Sequence, residues 1–185
     1  MTMEEILNLL RDCGAARAAA IRQSDVVYNA AFRDICAQNA CGLYGTCYMC
    51  PPDIGPIEAL MAKAQQYPVC FMYQTVSVLE DSFDYEGMIE AKKVHHRCAQ
   101  RIDKQARALL KEGFLHLEAG GCGMCARCAK LDGIPCRFPD KALSSLEGYG
   151  IDVYQTALHA GLPYVNGQNT VTYFGMIFLP EDLSE

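Results

Sequence analysis

Val69-Cys70-Phe71-Met72-Tyr73-Gln74-Thr75-Val76-Ser77-Val78-Leu79 is the stretch from which the fold is read. It is dense in β-branched and aromatic residues, which fit a pleated and packed surface, and it is the clearest strand in the chain. Thr170 to Leu179 reads as the last strand, and its nearly continuous apolar run places it centrally in a sheet. Between them, Met88, Ala91, His95, Cys98, Ile102 and Leu109 recur at three- and four-residue spacing. That spacing predicts a long helix over about 85–112 with one buried face, stopped by Gly113. Phe114-Leu115-His116-Leu117-Glu118 follows as a short strand and runs into Gly120-Gly121.

Outward from this centre, Thr2 and Glu5 form a capping box, and Ile6, Leu9, Leu10 and Cys13 share one face of a first helix that Gly14 ends. Residues 17–28 read as a short strand or extended segment, and 29–38 as a short helix. Gly55-Pro56 starts a helix with proline at its first position; Ile57, Leu60, Met61 and Ala64 are its buried stripe, and Tyr67-Pro68 ends it. Ser144 and Glu147 are spaced to start a helical turn, Asp152 and Gln155 to cap a helix ending at Gly161, and Gly167 to Asn169 to turn the chain. The fold class expected is α/β, with α+β as the alternative: a single sheet of three to four strands covered by helices. One domain spans 1–185, with cysteine-rich loops at 36–52 and 120–139.

Length and composition agree with a packed domain: 185 residues, 51% hydrophobic and 21% charged. Sixteen Lys and Arg against 22 Asp and Glu give a net charge of −6, with no basic run, so neither nucleic acid nor an anionic membrane is an expected partner. No stretch approaches the roughly 20 apolar residues of a membrane span. The first residues, Met1-Thr2-Met3-Glu4-Glu5, are acidic where a signal peptide is basic, and a cytoplasmic location is expected.

Cysteine is the abnormal residue. There are eleven, at 13, 36, 41, 47, 50, 70, 98, 122, 125, 128 and 136. In a reducing compartment an odd, clustered set of thiols points to metal rather than to disulfides. In Cys122-Gly123-Met124-Cys125-Ala126-Arg127-Cys128, two Cys-x2-Cys units share the middle cysteine, and Cys136 follows. Zinc knuckles present separated pairs, whereas this overlap is the opening of the bacterial ferredoxin run, whose loop wraps a cubane. Gly120, Gly121 and Gly123 let the backbone approach the sulfurs, and Pro135 and Pro139 stiffen the segment around Cys136. The first loop holds Cys36, Cys41, Cys47 and Cys50, followed by Pro51-Pro52, with Gly42 and Gly45 for its tight turns. All eight are candidate cofactor-binding thiols, enough for two four-cysteine sites, although spacing does not assign each thiol to a site.

Three motifs in order carry a resemblance: Cys36…Cys41-Gly42 with Tyr44-Gly45 and Cys50-Pro51-Pro52; Gly121-Cys122…Cys125…Cys128 with Pro135-Cys136-Arg137 and Pro139; and Ser145, Glu147, Gly150-Ile151-Asp152-Val153. Over roughly 15–180 the chain resembles a prokaryotic cysteine-rich family of unknown function described as predicted metal-binding. The resemblance implies a metal or iron–sulfur site carried by Cys36, Cys41, Cys50, Cys122, Cys125, Cys128 and Cys136, and implies no reaction. The family pattern has a tryptophan before Cys-Pro-Pro; this chain has Cys47-Tyr48-Met49-Cys50 and no tryptophan. On that comparison Cys47 reads as an extra thiol, and the first loop then offers three ligands and an open iron.

Cys13, Cys70 and Cys98 lie on apolar helix or strand positions and read as small core residues. His95 reads as a core histidine with His96 pointing elsewhere, Glu147 and Asp152 as helix caps, and Tyr44 as packing over a cluster. Arg137 suits either a cation beside thiolates or a surface ion pair. Phosphate-loop, dinucleotide, nucleophile-elbow and radical S-adenosylmethionine signatures are lacking in the sequence. The function expected is that of an iron–sulfur protein with one or two [4Fe-4S] clusters, exchanging single electrons with a redox partner protein. A zinc-binding structural or interaction module is the alternative, as is an enzyme with an open-iron cluster acting on a small-molecule substrate.

Overall fold

The fold is described from a computed structural model, which covers residues 2–110 and 113–180. Helix α1 spans Met3–Asp12 and opens with the Thr2–Glu5 capping box. Strand β1 is Arg17–Arg22, α2 is Phe32–Ala37, α3 is Ile57–Ala64 and β2 is Val69–Val78. Helix α4 is Tyr85–Leu110, β3 is Leu115–Glu118, β4 is Ser144–Ser145, α5 is Val153–His159 and β5 is Thr170–Leu179. The last two residues of the expected long helix, 111 and 112, lie outside the described residues. No helix among the described residues is long and apolar enough to cross a membrane.

The five strands form one sheet in the order β1-β2-β5-β3-β4. Pairs β1–β2, β2–β5 and β5–β3 are antiparallel, whereas β3 and β4 run parallel. The sheet therefore has five strands where three to four are expected from sequence, and β5 takes the central place that its apolar run demands. The additional strand is Ser144–Ser145, which sequence spacing reads as the start of a helical turn. Pairing with β3 overrides that local signal: Ser144 lies beside Leu117 and Ser145 beside Glu118, and the Leu146 amide donates to the Glu118 carbonyl. A tight turn over Glu147–Tyr149 begins after the strand, with the Ser145 hydroxyl accepting from the Gly148 amide at 2.9 Å.

Successive residues of β2 face opposite sides of the sheet, and both sides are covered. Phe71 and Tyr73 pack with Ile177 and Leu179 against α1 and α4, through Ile6, Leu10, Cys98, Ala99, Ile102 and Ala106. Cys70 and Met72 pack with Met176 and Phe178 against Leu60 and Ala64 of α3 and Ala157 of α5. Helix α4 buries Ala106 in place of the expected Leu109, which is 54% exposed; the turn of the helix brings Leu110 back toward the core. Pro56 is the residue before α3 rather than its first turn, because its backbone is extended at ψ 138°.

Candidate metal centre

Each cysteine loop hangs from a fixed element. The first loop leaves α2 and re-enters the fold at α3; the second leaves the end of β3 and returns at β4. They meet face to face. The Tyr48 hydroxyl donates to the Ile134 carbonyl at 2.9 Å across 86 residues of sequence, and the Lys130 ammonium meets Asp53 at 2.6 Å and lies over the Tyr48 ring. Gly121 lets the strands of the two loops close: a β-carbon there would run into Leu43 and come within 3.5 Å of the Cys50 sulfur.

One pocket results, lined by Cys47, Cys122, Cys125, Cys128 and Cys136 together with Tyr48, Met49, Met124, Ala129 and Arg137. The four cysteines of the second loop are thus gathered with Cys47, the thiol that family comparison sets aside. Cys47 and Cys50 are buried, at 4% and 9% exposure, and the four second-loop cysteines are half-buried. The neighbouring Cys122 and Cys50 thiols hold Cys47 below the ordinary thiol range against the opposing effect of burial, with smaller help from the amides of Met49 and Cys122. Cys50 and Cys122 are pushed upward by the neighbouring Cys47 and by burial. The Cys136 sulfur accepts from the amide two residues ahead, that of Phe138, at 3.4 Å, and the amides of Met49 and Met124 lower Cys47 and Cys122 in the same sense. Amides aimed at sulfur stabilise thiolate charge and orient a ligand.

Cys36, Cys41 and Cys50 form the outer side. Cys41 is exposed and near enough to both of the others to raise them electrostatically. Cys36 is raised first by burial, with Arg33 opposing and Cys41 and Glu147 adding. Glu147 is not the helix cap that its sequence position suggests. Its carboxyl is turned inward, where burial pushes it up against the pull of its own amide, Ser145 and Lys92. Asp152 does cap α5, accepting from the Gln155 amide at 3.0 Å. Tyr44 does not line the pocket; its amide is tied to Asn39 at 2.9 Å, and Tyr48 takes the covering position. Arg137 fills both roles open to it, lining the pocket while pairing with Asp132 at 3.7 Å.

Beneath the second loop lies a group that sequence reasoning missed. Glu118 is fully buried at the end of β3; it accepts from His96 Nδ1 at 2.9 Å and faces Lys92 at 3.6 Å. Burial alone would raise this carboxyl, and His96 and Lys92 override it and hold it below the usual range. Lys92 also donates to the Ala119 carbonyl, and the His96 ring packs against Gly123. The available signal was an acidic residue closing a short apolar strand just before Gly120-Gly121. Cys13, Cys70 and Cys98 are core residues, at 6%, 0% and 1% exposure.

The donor set fits a thiophilic metal: thiols, the Phe138 amide directed at the Cys136 sulfur, and Arg137 on the wall. Among the described residues no three His, Cys, Asp or Glu side chains close on one point as the ligands of a single ion. The open space between the pocket walls is about 20 Å³, roughly the room one water needs. One ion has room in that space as the loops stand; a four-iron cluster needs them to part.

Comparison with curated proteins and with solved structures found no match. A family profile described as "Predicted metal-binding protein (DUF2284)" does match, over residues 19–179. With a match covering most of its length, the chain belongs to this family of predicted metal-binding proteins.

Proposed function

We propose that the second cysteine loop carries a [4Fe-4S] cluster through Cys122, Cys125, Cys128 and Cys136, and that the protein passes single electrons to a partner protein. The observation that carries this reading is the gathering of those four thiols, in ferredoxin-like spacing, around one pocket, with the Phe138 amide already donating to the Cys136 sulfur. When bound, a cubane supplies a one-electron redox couple. The chain's own residues set its surroundings. The Phe138 amide stabilises ligand charge, Arg137 offsets part of it, and Met49, Met124 and Ala129 limit water. A net charge of −6 suits docking to a basic partner.

The outer set supports a second site. Cys47 faces the second loop's pocket, so Cys36, Cys41 and Cys50 stand as three thiols. Three protein ligands leave one position for a small molecule, which is the enzymatic reading. Zinc is the competing metal reading, and the narrow space between the sulfurs favours it. It makes the loops a structural clamp for partner binding.

The test is elemental analysis of protein purified without oxygen. Iron and acid-labile sulfide near four each per chain mean one cubane, and near eight mean two. Cys125→Ser is expected to lower both, whereas Cys98→Ser leaves them unchanged. Zinc without sulfide refutes the redox reading.

A further inference from the structure

On the far side of Met49 lies a cleft of about 480 Å³, within the range of roughly 300–1,000 Å³ usual for small-molecule sites. Met49 lines both this cleft and the cysteine pocket, and the Ser144 hydroxyl donates to its sulfur at 3.7 Å. Two cations line the cleft, Lys63 from the last turn of α3 and Arg107 from the last turn of α4. Arg107 is held in place: its Nε lies 2.6 Å from Asp103, its Nη2 3.3 Å from the same carboxylate, and its guanidinium stands over the Phe114 ring at 5.6 Å. Its Nη1 donates to no group among the described residues. Asp103 is itself buried, at 2% exposure, and faces His116 Nδ1 at 3.5 Å; His116 Nε2 meets the Tyr73 hydroxyl at 2.9 Å. The Arg107 and Asp103 charges cancel. Lys63 pairs with no acid in the described part of the chain, so among the described residues the cleft carries one uncompensated positive charge.

We propose that this cleft binds a small organic monoanion, a carboxylate on a short carbon skeleton, gripped by Lys63 and the free edge of Arg107. Phe114, beneath the Arg107 guanidinium, gives the cleft one apolar wall, while the rest of its exposed lining is mainly polar, so the carbon skeleton it suits is a short one. Both helices present their C-terminal turns, so no amide-rich helix N-terminus is offered to a phosphate. A planar, preorganised guanidinium matches a carboxylate edge to edge. The proposal deepens the metal-site reading by placing a substrate one side chain from the cysteine pocket, while binding itself does not depend on which metal is present.

The experiment is titration of the protein, as purified without oxygen, with butyrate and separately with inorganic phosphate, followed by saturation-transfer NMR and calorimetry. Saturable butyrate binding is expected, weakened about tenfold or more in Lys63→Gln and unchanged in Lys104→Gln. Arg107→Lys keeps the charge and loses the planar fork, and weakened butyrate binding is expected there too. Phosphate binding without butyrate binding overturns the carboxylate assignment. Absence of saturable binding, or equal affinity in Lys63→Gln, overturns the site. Iron, zinc and sulfide content of the same samples reports on the metal reading independently, so the two failures are distinguishable.

Discussion

Replacing Asp103 by Asn probes the buried polar chain on the α4 side of the sheet. Asp103 has two charge-assisted hydrogen bonds from Arg107, at 2.6 and 3.3 Å, and a longer contact with His116 at 3.5 Å. Burial pushes its carboxyl up, but His116 and Arg107 outweigh burial and hold it below the ordinary range. Removing one partner of a buried pair costs about 3–5 kcal/mol when the other charge stays buried. Here the Arg107 side chain is 46% exposed and regains water, so the expected loss is lower, about 2–3 kcal/mol at pH 7. The pH dependence follows from the sign of the shift. A carboxyl depressed in the folded state stabilises fully above its unfolded pKa of about 3.9, and that contribution is lost as pH falls through the folded value. Below it, wild-type Asp103 is neutral and nearly isosteric with Asn, so the stability gap closes. Urea unfolding followed by far-ultraviolet circular dichroism between pH 7 and pH 3 measures this on samples matched for metal content. A gap under about 0.5 kcal/mol at pH 7 refutes the argument. So does a gap that stays constant into acid.

Gly121→Ala is expected to leave the sheet intact and lower metal content, because a β-carbon at 121 would collide with the Leu43 side chain and displace it where the two cysteine loops meet; circular dichroism and metal analysis on one sample check both halves. Cys70 is pushed up to about 12 and Cys98 to about 11, chiefly by burial. Neither is expected to react with iodoacetamide in the native protein at pH 8, and mass mapping of alkylated sites tests this. His95 is held down to about 3, first by desolvation and next by the Lys92 charge. Its ring is therefore expected to stay neutral by NMR throughout pH 4–8. Since the unfolded chain takes up that proton near 6.5, stability falls as pH drops from about 6.5 toward 3.

Much of the fold is legible because its signals are local. The Thr2–Glu5 box, the Asp152 cap and the β-branched runs of β2 and β5 act within a few residues and leave their mark in spacing. Misreadings occurred where a distant partner outweighed a local preference. Ser144 carries a capping signal, but β3 was free to pair and took it as a strand. Glu147 carries the matching half of that signal, but its carboxyl is drawn inward beside Ser145 and toward Lys92. Leu109 matches the helical period over a few turns, yet the core ends where α4 turns its Ala106 and Leu110 inward.

By itself the sequence determined the covalent inventory of this protein: which thiols exist, how they are spaced within each loop, and where glycines let the backbone approach them. Those properties are set by neighbours along the chain. Tertiary structure alone decided that the loops face each other, that Cys47 joins the second loop's pocket, and that Glu118, His96 and Lys92 lie beneath it. It also placed Met49 between the cysteines and a cationic cleft. The physical reason is that these contacts join residues far apart in sequence, as Tyr48 joins Ile134 across 86 positions. Their geometry is fixed by how the sheet and α4 pack, and spacing along one loop carries no record of the direction its side chains take toward another.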